Sequence, residues 1–135
     1  MFCAMFATLC FFSSCEQKVE VSEEGILGKW QLVSVGEDRY QDGKLISSHT
    51  EDYEKLGVKA YLEFKANGVL IQTEGEGKDA ITHESTWKLR GSILTMDVDE
   101  FQVKELTSSK MKLASVIPPD YTEYYQGVLN LVKVK

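Results

Sequence analysis

The sequence has few cysteines, few prolines and an excess of acidic over basic residues. Its three cysteines, Cys3, Cys10 and Cys15, all fall at the start of the 135-residue chain, and only two prolines are present. A domain that begins after Cys15 has no thiol, which excludes a disulfide scaffold, a cysteine-ligated zinc site and a cysteine nucleophile. With 15 basic and 21 acidic residues, the chain lacks the basic face of a nucleic-acid-binding protein.

Charge is also absent from residues 1–15, although the rest of the chain is rich in it. This apolar run is shorter than the ~20 residues that span a bilayer, but it has the length of the apolar core of a secretion signal. It ends in Ser13-Ser14-Cys15, and small residues before a cysteine resemble a bacterial lipobox. The resemblance implies that residues 1–14 are a lipoprotein signal peptide and that Cys15 carries a diacylglycerol membrane anchor.

Two alternatives remain open for this leader: an ordinary cleaved signal without lipid, and a buried strand or helix of the fold. The abrupt change to a polar, acidic stretch at residues 16–25 argues against burial and is typical of a solvated tether. Fully extended, those ten residues reach ~33 Å. We therefore expect a lipidated cysteine and acidic tether over residues 15–25, and a domain over 26–135 held at the outer membrane of a cell envelope.

From residue 26 onward the apolar residues recur with a period of two. Ala60, Leu62 and Phe64 share one face of a strand, and the turn pairs Asn67-Gly68 and Gly91-Ser92 separate further alternating runs. The pattern predicts eight or nine short antiparallel strands and an all-β fold, either a closed up-and-down barrel or a sandwich.

The ends of several elements follow from the same pattern. We predict a first strand over Ile26–Val35, followed by a weaker hairpin at Asp42-Gly43, and a last strand over Gly127–Lys135. The only helical candidate is Thr50–Leu56, with Thr50 as its N-cap.

A family resemblance rests on several of these pieces. Gly28-Lys29-Trp30 is similar to the Gly-x-Trp signature of lipocalins, and the hairpins at 61–68, 86–95 and 101–113 resemble those of lipocalin-like lipoproteins from Gram-negative envelopes. The resemblance implies a barrel of about eight strands that holds a small, often apolar, ligand. It also implies that Trp30 closes one end of the barrel by packing.

Two groups of residues are candidates for ligand contact. The first shares the predicted inward face of one strand, where a polar side chain orients a ligand in an apolar cavity; the second follows two prolines and suits a lid over a barrel mouth. The candidates are His83, Ser85 and Trp87 in the first group, and Tyr121, Tyr124 and Tyr125 in the second. The alternative for both groups is structural: an interior histidine, and rings that protect the core.

Catalytic and metal-binding patterns have little support in this sequence. No Gly-x-Ser-x-Gly elbow is present, and Asp97, Asp99 and Glu100 are more typical of a charged turn than of a calcium site. We expect no enzyme activity, no metal and no cofactor, and a monomer. The predicted function is binding of a small apolar or amphipathic ligand; the alternative is a filled barrel that binds a protein or a polysaccharide through its outer surface.

Overall fold

The computed structural model describes residues 20–135. The predicted signal peptide over 1–14, the predicted lipid attachment at Cys15 and the first part of the tether lie outside the described residues. The described chain forms nine strands, two short α-helices and a single 3₁₀ turn at Gly77–Asp79, between β4 and β5. In chain order the strands and α-helices are α1 (Glu23–Ile26), β1 (Gly28–Gln41), β2 (Lys44–Asp52), α2 (Tyr53–Leu56), β3 (Ala60–Phe64), β4 (Val69–Glu74), β5 (Ile81–Arg90), β6 (Ile93–Met96), β7 (Asp99–Leu106), β8 (Lys110–Ser115) and β9 (Glu123–Lys133).

The strands form one antiparallel sheet that closes into a ring. Each strand from β3 to β8 pairs with the next one in the chain. Strand β1 closes the ring by pairing with both β3 and β9. Eight strands therefore make the barrel, which confirms the predicted all-β fold and its closed up-and-down arrangement. Closure leaves no free edge within the ring, which is the usual physical advantage of a barrel over an open sheet.

The ninth strand, β2, lies outside this ring. Only the first four residues of β1 pair with β3, whereas its last eight pair with β2. Together with the first residues of β9, these two strands make a three-stranded extension beyond the barrel. The tight turn of the β1–β2 hairpin is Asp42-Gly43, and both residues have positive φ, as a two-residue turn between twisted strands requires.

One end of the barrel, called here the closed end, is filled with large side chains. Trp30 is fully buried and donates a hydrogen bond from Nε1 to the carbonyl oxygen of Ile26, 2.8 Å away, so α1 lies across this end as a plug. Lys133 covers the other side of the indole, with Nζ 4.6 Å from the ring centroid, and donates to the carbonyl oxygen of Leu27. Gly28 makes room for it: its φ is +117°, and a Cβ there would lie 2.7 Å from Lys133 Nζ. These contacts are the physical reason for Gly-x-Trp in this chain.

Fully buried side chains from strands around the ring pack above Trp30. The largest of them are Phe64, Leu70, Leu94, Leu106, Met111, Leu113 and Leu131. At roughly 1.5–3 kcal/mol for each large apolar side chain, this packed layer supplies most of the burial that stabilises the fold.

Three predicted elements have different bounds in the structure, and the helix α1 was not predicted. The first strand begins at Gly28 rather than Ile26, because Ile26 belongs to α1, and the last strand ends at Lys133 rather than Lys135. The first strand continues past Val35 to Gln41, and the last begins at Glu123 rather than Gly127, because the two strands pair with each other along the extension. The helix is shorter than predicted and starts at Tyr53. Its N-cap is Asp52, not Thr50: the Asp52 carboxylate accepts from two backbone N–H groups, while Thr50 is still paired with β1.

The segment before β1 differs from a solvated tether where the structure describes it. Val21 packs against the core, Ser22 caps α1 and Ile26 is fully buried. A Cβ on Gly25 would meet Leu106 at 2.9 Å, so this turn lies close against the barrel. Ordered packing thus begins at about Val21, before the predicted domain start at Ile26.

Candidate functional site

The end of the barrel opposite Trp30, called here the open end, contains a cavity of about 320 Å³. Seven of the eight strands of the ring supply its walls, and the β6–β7 turn supplies part of its rim. The lining residues are Leu32, Leu62, Gln72, His83, Met96, Asp97, Asp99, Phe101 and Leu129. Five of these nine side chains are hydrocarbon or thioether and four are polar, which makes the cavity amphipathic.

Sheet register explains why the cavity changes character from floor to rim. On β4, fully buried Leu70 is followed two residues later by Gln72, on the same inward face. On β5, buried Trp87 is preceded on that face by Ser85 and then His83. The inward side of these two strands therefore passes from apolar to polar as each strand leaves the closed end.

The first predicted group is divided between the core and the cavity. Trp87 packs edge-on against Phe64, with ring centroids 5.4 Å apart, and donates from Nε1 to the carbonyl oxygen of Lys65 at 2.9 Å. His83 lines the cavity and is exposed to solvent. Ser85 lies between them on the same face, and its buried Oγ has no hydrogen-bond partner among the described residues.

The tyrosines of the second group do not come together as a lid. Tyr124 and Tyr125 are consecutive residues of β9, so their side chains point to opposite faces of the extension. Tyr124 stacks on Tyr40, with centroids 5.1 Å apart, while Tyr125 lies beneath the guanidinium of Arg39. Tyr121 is exposed in the preceding loop. The prediction treated this segment as a loop because it did not anticipate that β1 and β9 extend past the ring.

Arg39 belongs to the same sheet face as the cavity wall. Strand β1 has a bulge between Leu32 and Ser34, where its register with β9 shifts. Beyond it, strand alternation puts Val35, Glu37 and Arg39 on the face of Leu129. The guanidinium Nη2 donates to the Glu123 carboxylate at 2.7 Å, a hydrogen bond that raises the pKa of Arg39 further above its ordinary basic value. The positive charge of Arg39 is thus matched by a neighbouring negative one.

Two further depressions lie outside the barrel. A groove of about 470 Å³ runs beside the open end, between the β6–β7 turn and Pro118-Pro119, and shares Asp99 and Phe101 with the cavity. A shallow depression of about 400 Å³ lies near Tyr61. There the Tyr61 hydroxyl donates to Glu76 at 2.9 Å, and this hydrogen bond raises the pKa of Tyr61.

The acidic residues considered for calcium are not gathered at one point. Asp97 and Asp99 line the cavity, whereas Glu100 is the next residue of β7 and points to the other face of the sheet. Within residues 20–135, no group of three His, Cys, Asp or Glu side chains is arranged to hold a metal ion. In the same range, no helix has the length and apolar character needed to cross a membrane.

Most of the residues that line the cavity were not predicted from the sequence. Leu62 was assigned to the inward face by its alternation with Tyr61 and Glu63, but nothing in a single strand shows how far from the closed end it lies. Asp97 and Asp99 carried a visible signal, since Asp97 begins the two-residue turn after β6 and Asp99 is the first residue of β7. That pattern predicted a charged turn. Only the closure of the barrel shows that this turn borders the cavity.

Comparison with known proteins shows the family of this chain. Residues 26–113 match the model of the lipocalin-like domain. Among curated proteins, no match is found. A crystal structure of a protein of unknown function, from the DUF3598 family of Nostoc punctiforme, shares 16% identity and a TM-score of 0.36 over 88% of this chain. The aligned region is 51% of that protein, so the present chain spans about half its length.

Proposed function

Because this chain belongs to the family of lipocalin-like domains, we propose that it is a non-enzymatic binding protein for a small amphipathic molecule. The observation that carries the proposal is the cavity of about 320 Å³ at the open end, with apolar walls and a polar rim. Sites for small ligands are typically concave, mostly apolar and furnished with a few polar groups, and their volumes start at about 300 Å³. The cavity is concave and has this volume, and five of its nine lining side chains are apolar.

The size of the cavity also limits the ligand. The closed end is filled by Trp30, Phe64 and Leu70, so a ligand enters only as far as Leu32 and Leu129. A short alkyl chain or a single ring system fits that depth. The polar part of such a molecule remains at the rim, beside Gln72 and His83.

A second candidate function is supported by the outer surface of the extension. Strand β2 pairs on one side only within the described residues, and Leu45 and Ile46 are 54% and 51% exposed on it. An unpaired edge strand with apolar side chains accepts an additional strand from a partner protein. The alternative to a carrier is therefore a module that binds another envelope protein or a polysaccharide, for which the barrel serves as scaffold.

The carrier proposal is tested by filling the cavity. Leu62→Trp adds a ring system on the cavity wall, and we expect it to abolish the fluorescence increase of the neutral probe N-phenyl-1-naphthylamine with the purified full-length chain. Glu63→Trp, on the outward face of the same strand, is the matched control and retains binding. Native mass spectrometry of the protein from its own host supplies the independent check. A co-purifying small molecule supports the carrier, whereas repeated isolation of empty protein together with unaltered probe binding by Leu62→Trp contradicts it.

We also propose that Cys15 anchors the protein in the envelope through a lipid. The support is the uncharged leader and the small residues before the cysteine, and two or more acyl chains give stable membrane attachment. Replacing Cys15 by Ala in a Gram-negative host should abolish incorporation of radiolabelled palmitate. Labelling that persists in the variant would show that the anchor is wrongly assigned.

A further inference from the structure

Resting on the proposed carrier function, we propose that the open end selects an amphiphile with a positively charged head group, such as a primary or quaternary amine, and disfavours fatty acids. Three features carry this inference: the charges of the lining, the charges of the extension above it, and the backbone that holds one carboxylate at the rim.

The polar lining of the cavity is rich in hydrogen-bond acceptors and formally negative. Asp97 and Asp99 contribute two carboxylates, Gln72 contributes an amide, and none of the nine described lining residues is Lys or Arg. A carboxylate head group at the rim meets two like charges. An ammonium group at that position meets two opposite charges at short range.

The extension above the cavity carries three carboxylates but only two basic side chains, Arg39 and Lys44, on the face that continues the cavity wall. Its Arg39 is already bonded to the Glu123 carboxylate at 2.7 Å. On the same sheet face, register places Glu37 on β1 and Glu51 on β2, next to the row that includes Leu129. A ligand head group that leaves the cavity upward therefore meets further carboxylates.

The backbone at Asp97 holds its carboxylate at the rim at a conformational cost. Its φ is +57°, in the left-handed region, where residues other than glycine are uncommon and Asn and Asp are the best tolerated. The Asp97 N–H donates to the carbonyl oxygen of Thr86 at 2.8 Å, which ties the turn to β5. Glycine would satisfy this conformation without strain, but it would bring no charge to the cavity.

The apolar part of the lining suits the other half of such a ligand. Leu32, Leu62 and Leu129 form the deep wall, and Phe101 and Met96 lie below the two aspartates. An alkyl chain directed toward the closed end contacts these side chains, while its head group stays level with Asp97 and Asp99. The site thus distinguishes amphiphiles by the sign of the head group rather than by the chain.

The test compares three ligands that share one alkyl chain: octylamine, octanol and octanoate. Each displaces N-phenyl-1-naphthylamine from the purified full-length chain, below the concentration at which it forms micelles. We expect octylamine to bind at least roughly tenfold more tightly than octanoate, with octanol between them. Raising the salt concentration should narrow this ratio, because exposed charges at the rim are screened.

Two sets of variants test whether Asp97 and Asp99 cause the preference for the amine. In Asp97→Asn/Asp99→Asn the amine-to-carboxylate ratio should fall to about one, while octanol binding stays unchanged; Asn is compatible with the positive φ at position 97. Glu100→Gln removes a carboxylate from the other face of β7 and should leave the ratio unaltered. If the double variant does not fold, Asp97→Asn alone and the salt dependence of the wild type provide the same comparison.

The outcomes separate this inference from the function on which it rests. If all three ligands bind equally, or octanoate binds best, the head-group selection is wrong and the carrier function stands. If the double variant keeps the wild-type ratio, the selection does not come from these aspartates and the inference fails. If neither the probe nor any of the three ligands binds, the carrier function itself is wrong.

Discussion

The two ends of this barrel are built from the same strands but have opposite properties. At the closed end, Trp30 and Phe64 leave at most 2% of their surface exposed. At the open end, His83 and Asp99 come from neighbouring parts of the same ring and border an empty space of about 320 Å³. This barrel thus concentrates its stability in one layer of side chains. The other end is then free to carry polar groups that a packed core would not tolerate.

The largest expected effect of breaking this division is at Trp30. Trp30→Ala removes the indole on which α1 and Lys133 rest, and it removes the hydrogen bond to Ile26. We expect a loss of about 3–5 kcal/mol in the free energy of unfolding, measured by chemical denaturation. Tyr121→Ala, an exposed aromatic near the open end, should stay within about 0.5 kcal/mol of the wild type. Equal losses in the two variants would refute the division.

A pair of leucines on neighbouring strands allows the stability contributions of the two ends to be compared directly. Leu113 and Leu129 face each other on β8 and β9, but Leu113 is fully buried whereas Leu129 borders the cavity. Leu113→Ala should cost about 2–5 kcal/mol because it opens a void in packed surroundings. Leu129→Ala should cost less, since it enlarges a space that already exists. A greater loss for Leu129→Ala in denaturant titrations would mean that the cavity is packed more tightly than its geometry indicates.

A smaller change, and a gain rather than a loss of stability, is expected at Ser85, which lies between the packed core and the cavity. The buried Oγ of Ser85 lacks a hydrogen-bond partner among the described residues, and an unsatisfied buried hydroxyl costs free energy. Ser85→Ala should therefore raise the stability of the free protein by up to about 1 kcal/mol, seen as a higher denaturation midpoint. A lower midpoint would show that the hydroxyl is bonded in solution.

The smallest expected effect is a pH dependence at the closed end. Burial lowers the pKa of Lys133, so the folded protein binds this proton less tightly than the unfolded chain does. The contribution of Lys133 to stability should thus rise with pH as the amine titrates in the alkaline range, and stay constant below it. Lys133→Met keeps the stem over Trp30 and removes the titration. The wild type should gain stability relative to this variant on going to alkaline pH; a relative loss would contradict the sign.

Sequence reasoning was accurate wherever structure depends on near neighbours. Alternation placed Leu62 and Phe64 inward, and Asn67-Gly68 correctly marked the β3–β4 turn, because strand period and turn conformation are local properties. Reasoning failed where pairing is long-range. The extension of β1 to Gln41 depends on its register with β9, some eighty residues further along the chain, and no local pattern reports that register.

The same distinction applies to the candidate site. His83 was named from the alternation of β5 alone, and it does line the cavity. Leu32 and Leu129 were not named, because their position at the cavity floor follows from how β1 and β9 meet on closure. Tyr124 and Tyr125 were grouped by proximity in the chain, whereas strand pleating separates neighbouring side chains to opposite faces.

The packing of α1 over Trp30 also determines which end of the barrel lies next to the N-terminal segment. The chain that leads back to Cys15 joins the barrel at α1, where a Cβ on Gly25 would lie 3.6 Å from the Glu20 carbonyl oxygen. If Cys15 is inserted in a bilayer as proposed, the sealed base is tethered toward the lipid and the aperture lies on the far side of the barrel. The ligand then enters and leaves the barrel on the side away from the membrane, either from solution or by transfer from another macromolecule. It does not enter directly from the leaflet that holds the anchor.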